Sequence, residues 1–111
     1  MKDYTFSIAL QSTLQNRVNA FCKQKFLKYQ YCADARGKFI YLYRLMPSGI
    51  QRLGRLTYLG DPENMEFTIF NDLTEKYDPK KRVFSGVEYL DGTIEGALKA
   101  AIKAYPEKLK N

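Results

Sequence analysis

"YLYRLMPSGIQRLGRL", residues 41–56, is typical of two β-strands joined by a tight turn. Pro47 suits the second position of such a turn, and Gly49 suits the left-handed position that closes a three-residue loop. Side chains of mixed polarity flank the turn on both sides, as in strands whose two faces differ. The stretch therefore predicts an antiparallel hairpin in which Met46 pairs with Ile50.

Turn signals of the same kind recur on both sides of this hairpin. Arg36-Gly37 can close a two-residue turn. Asp-Pro pairs at 61–62 and 78–79 place aspartate and proline at the first two positions of type I turns. These turns divide the middle of the chain into an antiparallel meander of four or five strands.

Helical patterns stand at both ends of the meander. "TIEGALKAAIKAYP", residues 93–106, has Thr93 as N-cap, one apolar face and a proline just past the end. Near the N-terminus, Ser12 and Gln15 form a capping-box pattern and predict a helix from Ser12. Residues 4–10 then read as a short strand, with a longer helix from about Ser7 as the alternative.

The chain is predicted to be one α+β domain, in which an N-terminal and a C-terminal helix pack an antiparallel meander. A length of 111 residues suits a single domain spanning 1–111, and residues 106–111 are expected to form a frayed tail. Cys22 and Cys32 are expected to be reduced, mostly buried thiols. With no secretory leader and no long apolar run, the protein is expected to be cytoplasmic, without membrane contact.

Charge is distributed unevenly along the chain. The formal net charge is +6, and half of the 12 acidic residues lie within 61–78. The 60 residues before this acidic segment are strongly basic. Such a distribution can steer an anionic partner or pair with a second copy of the chain, although solvated faces would look the same.

The turns also predict a strand register, with 35 paired to 38, 46 to 50 and 61 to 65, and hence the two faces of the sheet. The side predicted to be the core beneath the helices has Arg55 as its only cation and comprises Cys32, Phe39, Tyr41, Tyr43, Leu45, Leu53, Arg55, Thr57, Leu59, Met65, Phe67 and Ile69. The other side, too apolar for open water and too charged for a core, comprises Tyr29, Tyr31, Ile40, Leu42, Arg44, Met46, Ile50, Arg52, Gly54, Leu56, Tyr58, Glu66, Thr68 and Phe70.

This register sets Arg44 opposite Arg52, with Tyr29 across from Arg44. Like charges in register are unfavourable, so the pair indicates an acidic group supplied from elsewhere. Guanidinium groups beside tyrosine rings suit stacking on single-stranded bases and contact with phosphate. Glu66, a helix acid or a second copy of the protein could satisfy the same arginines.

"KYDPKKRVF", residues 76–84, places Lys80, Lys81 and Arg82 behind an Asp-Pro pair. On a functional interpretation, these cations contact phosphates without reading sequence. On a structural interpretation, they fill a solvated turn and discourage edge-to-edge aggregation. The structural interpretation is favoured, because the same turn at 61–64 carries no such cations.

No catalytic signature is found, and the protein is predicted not to be an enzyme. The sequence has no histidine, which excludes an imidazole base and a histidine metal site. "GRLTYLG", residues 54–60, lacks the lysine and the glycine spacing of a phosphate-binding loop. We therefore expect no catalytic residue, no metal site and no cofactor.

The helix–meander–helix order is similar to that of the double-stranded RNA-binding domain. That family carries a basic lysine cluster at the start of its last helix, where this chain reads "TIEGALK", residues 93–99. The resemblance therefore extends to element order and implies no RNA-binding residues here.

The sequence predicts a small, basic, non-enzymatic binding module. The first hypothesis is contact with single-stranded nucleic acid through Tyr29, Tyr31, Arg44 and Arg52, with Lys80, Lys81 and Arg82 as auxiliary contacts. The alternative is a protein–protein adaptor or homodimer whose mixed sheet face is the interface.

Overall fold

A computed structural model describes residues 8–107 and confirms the α+β class. Its elements follow the order helix, five strands, short 3-10 helix, helix. They are α1 (Ile8–Gln24), β1 (Gln30–Arg36), β2 (Phe39–Met46), β3 (Gly49–Thr57), β4 (Glu66–Asn71), β5 (Lys76–Tyr77), the 3-10 helix (Val87–Tyr89) and α2 (Ile94–Ala104). The five strands form one antiparallel sheet in chain order, as the meander predicted.

The first helix starts earlier than its capping-box pattern predicted. Within the described residues α1 begins at Ile8, so the start at Ser12 is wrong. The predicted strand at 4–10 is wrong for Ile8–Leu10, and residues 4–7 lie outside the described range. Gln15, the expected capping residue, instead reaches across to β1, which explains why the pattern misled.

Two glutamines of α1 cover the outer edge of β1. Gln15 accepts a hydrogen bond from the Ala33 N–H (2.9 Å) and donates to the Tyr31 carbonyl (3.2 Å). Gln11 accepts from the Ala35 N–H (2.9 Å) and donates to the Ala33 carbonyl (2.8 Å). Each side-chain amide thus forms the hydrogen bonds that the peptide group of a neighbouring strand would form. These backbone groups at the edge of β1 therefore have partners without a further strand.

The last helix has the bounds and cap that its sequence predicted. The Thr93 hydroxyl accepts a hydrogen bond from the Gly96 N–H (3.0 Å), and α2 ends at Ala104 before Pro106. Its core face is fully buried and comprises Ile94, Gly96, Ala97, Leu98, Ala100 and Ala101. These mostly small residues let α2 lie close to its neighbours.

Each predicted turn forms within one residue of its expected place, but all three predicted pairings are wrong. Arg36 pairs with Phe39 and Met46 with Gly49, so both loops contain two residues. The Asp61 turn forms, with its carbonyl accepting from the Asn64 N–H (3.1 Å), yet it lies inside a longer connection between β3 and β4. The predicted pairing of 61 with 65 is therefore wrong.

A β-bulge at Leu53 is the irregularity that matters most. Tyr43 pairs with Arg52, whereas the preceding residue of β2, Leu42, pairs with Gly54. Leu53 is the extra residue, and both Leu53 and Gly54 are buried. The bulge shifts the alternation of β3, so that Arg52 leaves the face that Arg44 occupies. The predicted Arg44–Arg52 pair is wrong, and Gln51 stands opposite Arg44.

The helices cover the sheet face that was predicted to bind nucleic acid or a protein partner. Ile40, Leu42 and Leu56 are at most 1 % exposed and pack with Leu14 and Val18 of α1. The predicted core face is therefore wrong for β1, β2 and most of β3, although Leu53, Met65 and Ile69 are buried as expected. We call the helix-covered side the inner face and the opposite side the outer face.

Arg17 ties α1 to α2 and to the β3–β4 connection. Its guanidinium contacts both Glu95 oxygens (2.8 and 2.6 Å) in the first turn of α2. It also contacts Glu63 (2.6 Å) in the β3–β4 connection. The hydrogen bonds from Arg17 lower the pKa of Glu95 below its usual value. One cation of the basic segment is thus neutralised within the fold.

Candidate nucleic-acid interface

The outer face of the sheet carries a cleft walled by tyrosine rings and arginines. Register places Tyr43 beside Arg52 and Tyr41 beside Arg55 on this face. Tyr77 of β5 joins them through its pairing with Phe70. The cleft has a volume of about 430 Å³ and is lined by Asp34, Arg36, Tyr41, Tyr43, Ile50, Arg52 and Tyr77.

The aromatic rings of this face contact one another. The Tyr41 and Tyr77 ring centroids are 5.4 Å apart, and those of Phe70 and Tyr77 are 5.0 Å apart. Phe39 extends the row at 6.1 Å from Tyr41. These tilted and edge-on contacts hold the rings in fixed positions and leave the sheet with a continuous aromatic surface.

Arg55 lies within this aromatic row. Its guanidinium carbon is 4.2 Å from the Phe39 ring centroid and 5.3 Å from that of Tyr77. Among residues 8–107, Arg55 forms no ion pair, and its Nε has no hydrogen-bond partner. The cation is therefore held by ring faces, and its charge is not neutralised by a described carboxylate.

Arg52 and Arg36 supply the accessible cations of the cleft. Arg52 is exposed and lies 6.0 Å from the Phe70 ring. Arg36 is more exposed than its partner Asp34, with which it forms a surface ion pair at 3.1 Å. Exposed pairs of this kind are weak, so an incoming phosphate can compete for Arg36.

Two tyrosines of the cleft, Tyr43 and Tyr77, keep their hydroxyl protons at neutral pH. Burial raises the pKa of Tyr77 above its usual value, against the opposing effect of the nearby Arg52 charge. Burial also raises the pKa of Tyr43, with a contribution from Cys32 across the β1–β2 pair. Neutral hydroxyls can donate and accept hydrogen bonds, and neutral rings do not repel an anionic ligand.

Two of the residues that the sequence predicted as contacts, Arg44 and Tyr31, are buried on the inner face. Arg44 is 1 % exposed, and its guanidinium donates to the Gln51 amide oxygen (2.7 Å), the Tyr31 hydroxyl (2.9 Å) and the Tyr105 carbonyl (2.8 Å). Every side of the guanidinium therefore meets a partner from the chain itself. Arg44 fastens the end of α2 to β1 and β3.

Tyr31 and Tyr29 belong to the same network. The Tyr31 hydroxyl (2.8 Å) and the Tyr29 N–H (3.2 Å) both donate to Oε2 of Glu107. The Lys28 N–H adds a third hydrogen bond (2.9 Å). Glu107, which the sequence assigned to the tail, thus accepts three hydrogen bonds and brings a carboxylate into the network of Arg44.

Acid is expected to remove the stabilising contribution of Glu107. Burial alone would raise its pKa, but hydrogen bonds from Lys28, Tyr31 and Tyr29, together with the Arg44 charge, bring the pKa below its usual value. The unfolded chain then binds the proton more readily, so stability that is present above the unfolded pKa of about 4.3 is lost as pH falls. Urea unfolding at neutral and acidic pH should show a smaller acid-induced loss for Glu107→Gln than for the parent; equal losses would contradict this role.

Lys80, Lys81 and Arg82 lie on an exposed turn at the β5 edge. The Asp78 carboxylate accepts from the Lys80 N–H (3.0 Å), and its carbonyl accepts from the Lys81 N–H (3.2 Å), which confirms the Asp-Pro turn. The chain leaves Tyr77 on the outer face and reaches Phe84, whose ring lies 6.0 Å from Phe67. Because Phe67 faces the core, the cations stand between the two faces.

Of the seven residues predicted as contacts, the structure brings only Arg52 into the cleft. The sequence interpretation had placed Tyr41, Tyr43 and Arg55 in the core, and it had not considered Tyr77. A usable signal was present in β2, where Ile40 and Leu42 alternate with Tyr41 and Tyr43. Aliphatic side chains are buried without cost, whereas phenol hydroxyls require a partner or water.

No helix within residues 8–107 is long and apolar enough to cross a membrane, and no group of potential metal ligands is found in the same range. Cys22 and Cys32 are free, half-buried thiols. No protein-family model, no curated protein and no solved structure matches the chain. A functional assignment must therefore come from its own residues.

Proposed function

We propose that this domain is a non-enzymatic binding module that takes single-stranded nucleic acid on the outer face of its sheet. The observation that carries the proposal is the juxtaposition of Tyr41, Tyr43 and Tyr77 with Arg52 and Arg36 in one cleft. Base stacking on aromatic rings and phosphate contact with arginine are the two interactions that single-strand binding uses.

Each part of the cleft has a distinct role in this proposal. Unpaired bases stack on the rings of Tyr41 and Tyr77, which the aromatic row holds in place. Arg52 and Arg36 contact phosphates, and Arg36 exchanges its exposed ion pair with Asp34 for a phosphate. Arg55 contributes positive charge from within the row. A duplex does not fit this role, because its bases are already stacked and paired.

A protein partner or second copy on the outer face is the second candidate. Ile50 is 63 % exposed and Leu45 is 37 % exposed, and the two are paired next to the turn of the β2–β3 hairpin. Exposed apolar residues beside an aromatic surface are typical of protein interfaces. Sedimentation velocity on the Ile50→Lys variant distinguishes this candidate, because a dimer formed on this face would dissociate.

Replacing Tyr41 with alanine is expected to weaken binding to a labelled single-stranded oligonucleotide by about 5- to 150-fold, the equivalent of one lost stacking contact of about 1–3 kcal/mol. Fluorescence anisotropy against single-stranded and duplex RNA and DNA, at about 50 and 200 mM salt, provides the measurement. Tyr89→Ala is the matched control, because Tyr89 is an exposed tyrosine of the 3-10 helix outside this cleft.

The outcomes separate a specific surface from general attraction. Single-strand preference that persists at the higher salt, and that Tyr41→Ala but not Tyr89→Ala reduces, supports the proposal. Binding that disappears at about 200 mM salt, or that both variants leave unchanged, would contradict the proposal. It would mean that the oligonucleotide is held only by unspecific attraction to the positive net charge.

A further inference from the structure

An open groove of about 480 Å³ lies on the helical side of the molecule, between the end of α1 and α2. Phe21, Leu27 and Ile102 contribute apolar side chains to its lining. All three also belong to or pack against the core, so the groove has a firm floor. It shares no lining residue with the outer cleft and is independent of the proposed function.

Three lysines, Lys25, Lys99 and Lys103, stand at the edges of this groove, and no acidic residue within 8–107 lines it. None of the three forms an ion pair with a described carboxylate. Lys99 and Lys103 are four residues apart on α2, a spacing at which like charges repel. An acidic ligand would relieve this repulsion.

Phe26, which stands in the chain between the lining residues Lys25 and Leu27, adds a second, unusual feature beside the groove. The Leu27 N–H bonds the Cys22 carbonyl (3.0 Å) and the Phe26 N–H bonds the Lys23 carbonyl (3.2 Å), which is the Schellman ending of a helix. Phe26 occupies the position that normally holds glycine, with a φ of 55°, and its side chain is 93 % exposed. A bulky residue here costs backbone strain and gains no packing within the described chain.

We propose that this groove docks an acidic amphipathic helix of a partner protein. The apolar face of such a helix, with residues at i, i+3, i+4 and i+7, would cover Phe21, Leu27 and Ile102. Its flanking carboxylates would meet the three lysines, and Phe26 would pack against one end of it. Because the rim is positively charged, the partner is expected to be acidic. The floor is apolar and favours a protein helix over a nucleic acid, which has little apolar surface to bury there.

The probe for the experiment is a labelled amphipathic peptide of about 15 residues, with leucines at i, i+3, i+4 and i+7 and glutamates on the flanks. A peptide with the same leucines and lysines in place of the glutamates is its control. Saturable anisotropy with the acidic peptide alone is the expected result. Equal binding of both peptides, or no saturation up to about 1 mM, would overturn the proposal.

Two variants test the site itself. Lys99→Glu is expected to weaken the acidic peptide about tenfold, whereas Lys76→Glu, an exposed lysine of β5, leaves binding unchanged. Phe26→Gly is expected to weaken the peptide while raising the Tm by about 4 °C, because glycine adopts the left-handed conformation without strain. A lower Tm would show that Phe26 is structural and would contradict its docking role.

Other ligands are outcomes of the same assay. Displacement of the acidic peptide by a single-stranded oligonucleotide would overturn the protein-partner assignment, and so would stronger binding to phosphatidylserine-containing vesicles that Lys99→Glu abolishes. Because Tyr41→Ala lies on the opposite face, it should leave peptide binding intact. Failure of the peptide therefore leaves the nucleic-acid proposal standing, and the converse also holds.

Discussion

Arg44→Ala is expected to lower the free energy of unfolding by about 3 kcal/mol. The change removes every hydrogen bond of the guanidinium and leaves a cavity where a fully buried side chain stood. It also leaves two partly buried acceptors, the Gln51 amide oxygen and the Tyr105 carbonyl, without the donor that Arg44 supplies. Urea unfolding followed by circular dichroism measures the loss.

Arg52→Ala is the matched control for this prediction. Arg52 is exposed on the outer face, so its removal should change stability by no more than about 0.5 kcal/mol. Arg44→Lys should lie between the two, because lysine keeps the charge but lacks the planar fork that reaches three partners. If Arg44→Ala proves as stable as Arg52→Ala, the inner-face network does not hold the end of α2.

The contrast between these two arginines explains how far the sequence could predict the sheet. Alternation and turn chemistry were sufficient to predict an antiparallel meander of four or five strands, and the cap and apolar face were sufficient to predict α2. The faces depended on strand register, which one inserted residue inverts. Both arginines were predicted on the face away from the helices. The two-residue β2–β3 loop and the bulge at Leu53 separate them, so that Arg52 lies on the outer face and Arg44 on the helix-covered inner face.

A local signal for the bulge was present at Gly54. Glycine inside a strand often marks a bulge or a close approach of another group. In the structure a Cβ at this position would overlap the Phe67 ring and the Thr68 carbonyl oxygen, so glycine is required by space. Sequence spacing alone could not reveal this, because Phe67 lies on the next strand.

The Arg44 network could not be predicted for a different reason. Its members come from β1, β2, β3 and the residues after α2. A sequence pattern within one element does not reveal that side chains from four segments contact one another. Arginine on a strand face therefore appeared to need an external anion. The fold supplies Tyr31, Gln51 and the Tyr105 carbonyl instead, and Glu107 completes the network from a position that had been taken as tail.

The double variant Gln11→Ala, Gln15→Ala is expected to lower the free energy of unfolding by about 2–4 kcal/mol. Four backbone groups of β1 lose their partners at once, namely the N–H groups of Ala33 and Ala35 and the carbonyls of Tyr31 and Ala33. These groups lie partly beneath α1, where water replaces the lost bonds only incompletely. Thermal and urea unfolding of the double variant and of each single variant measure the effect.

The same substitution tests why the sheet does not pair with other copies. Of its two edges, β1 is covered by the glutamines and β5 contains only two residues, which leaves little template for another strand. Removing the glutamine amides exposes the β1 edge, so size-exclusion chromatography of the double variant should show concentration-dependent association. Asn16→Ala with Gln24→Ala, two exposed amides elsewhere on α1, is the control and should remain as stable and as monodisperse as the parent. Equal behaviour of the two double variants would mean that α1 protects the edge by packing alone.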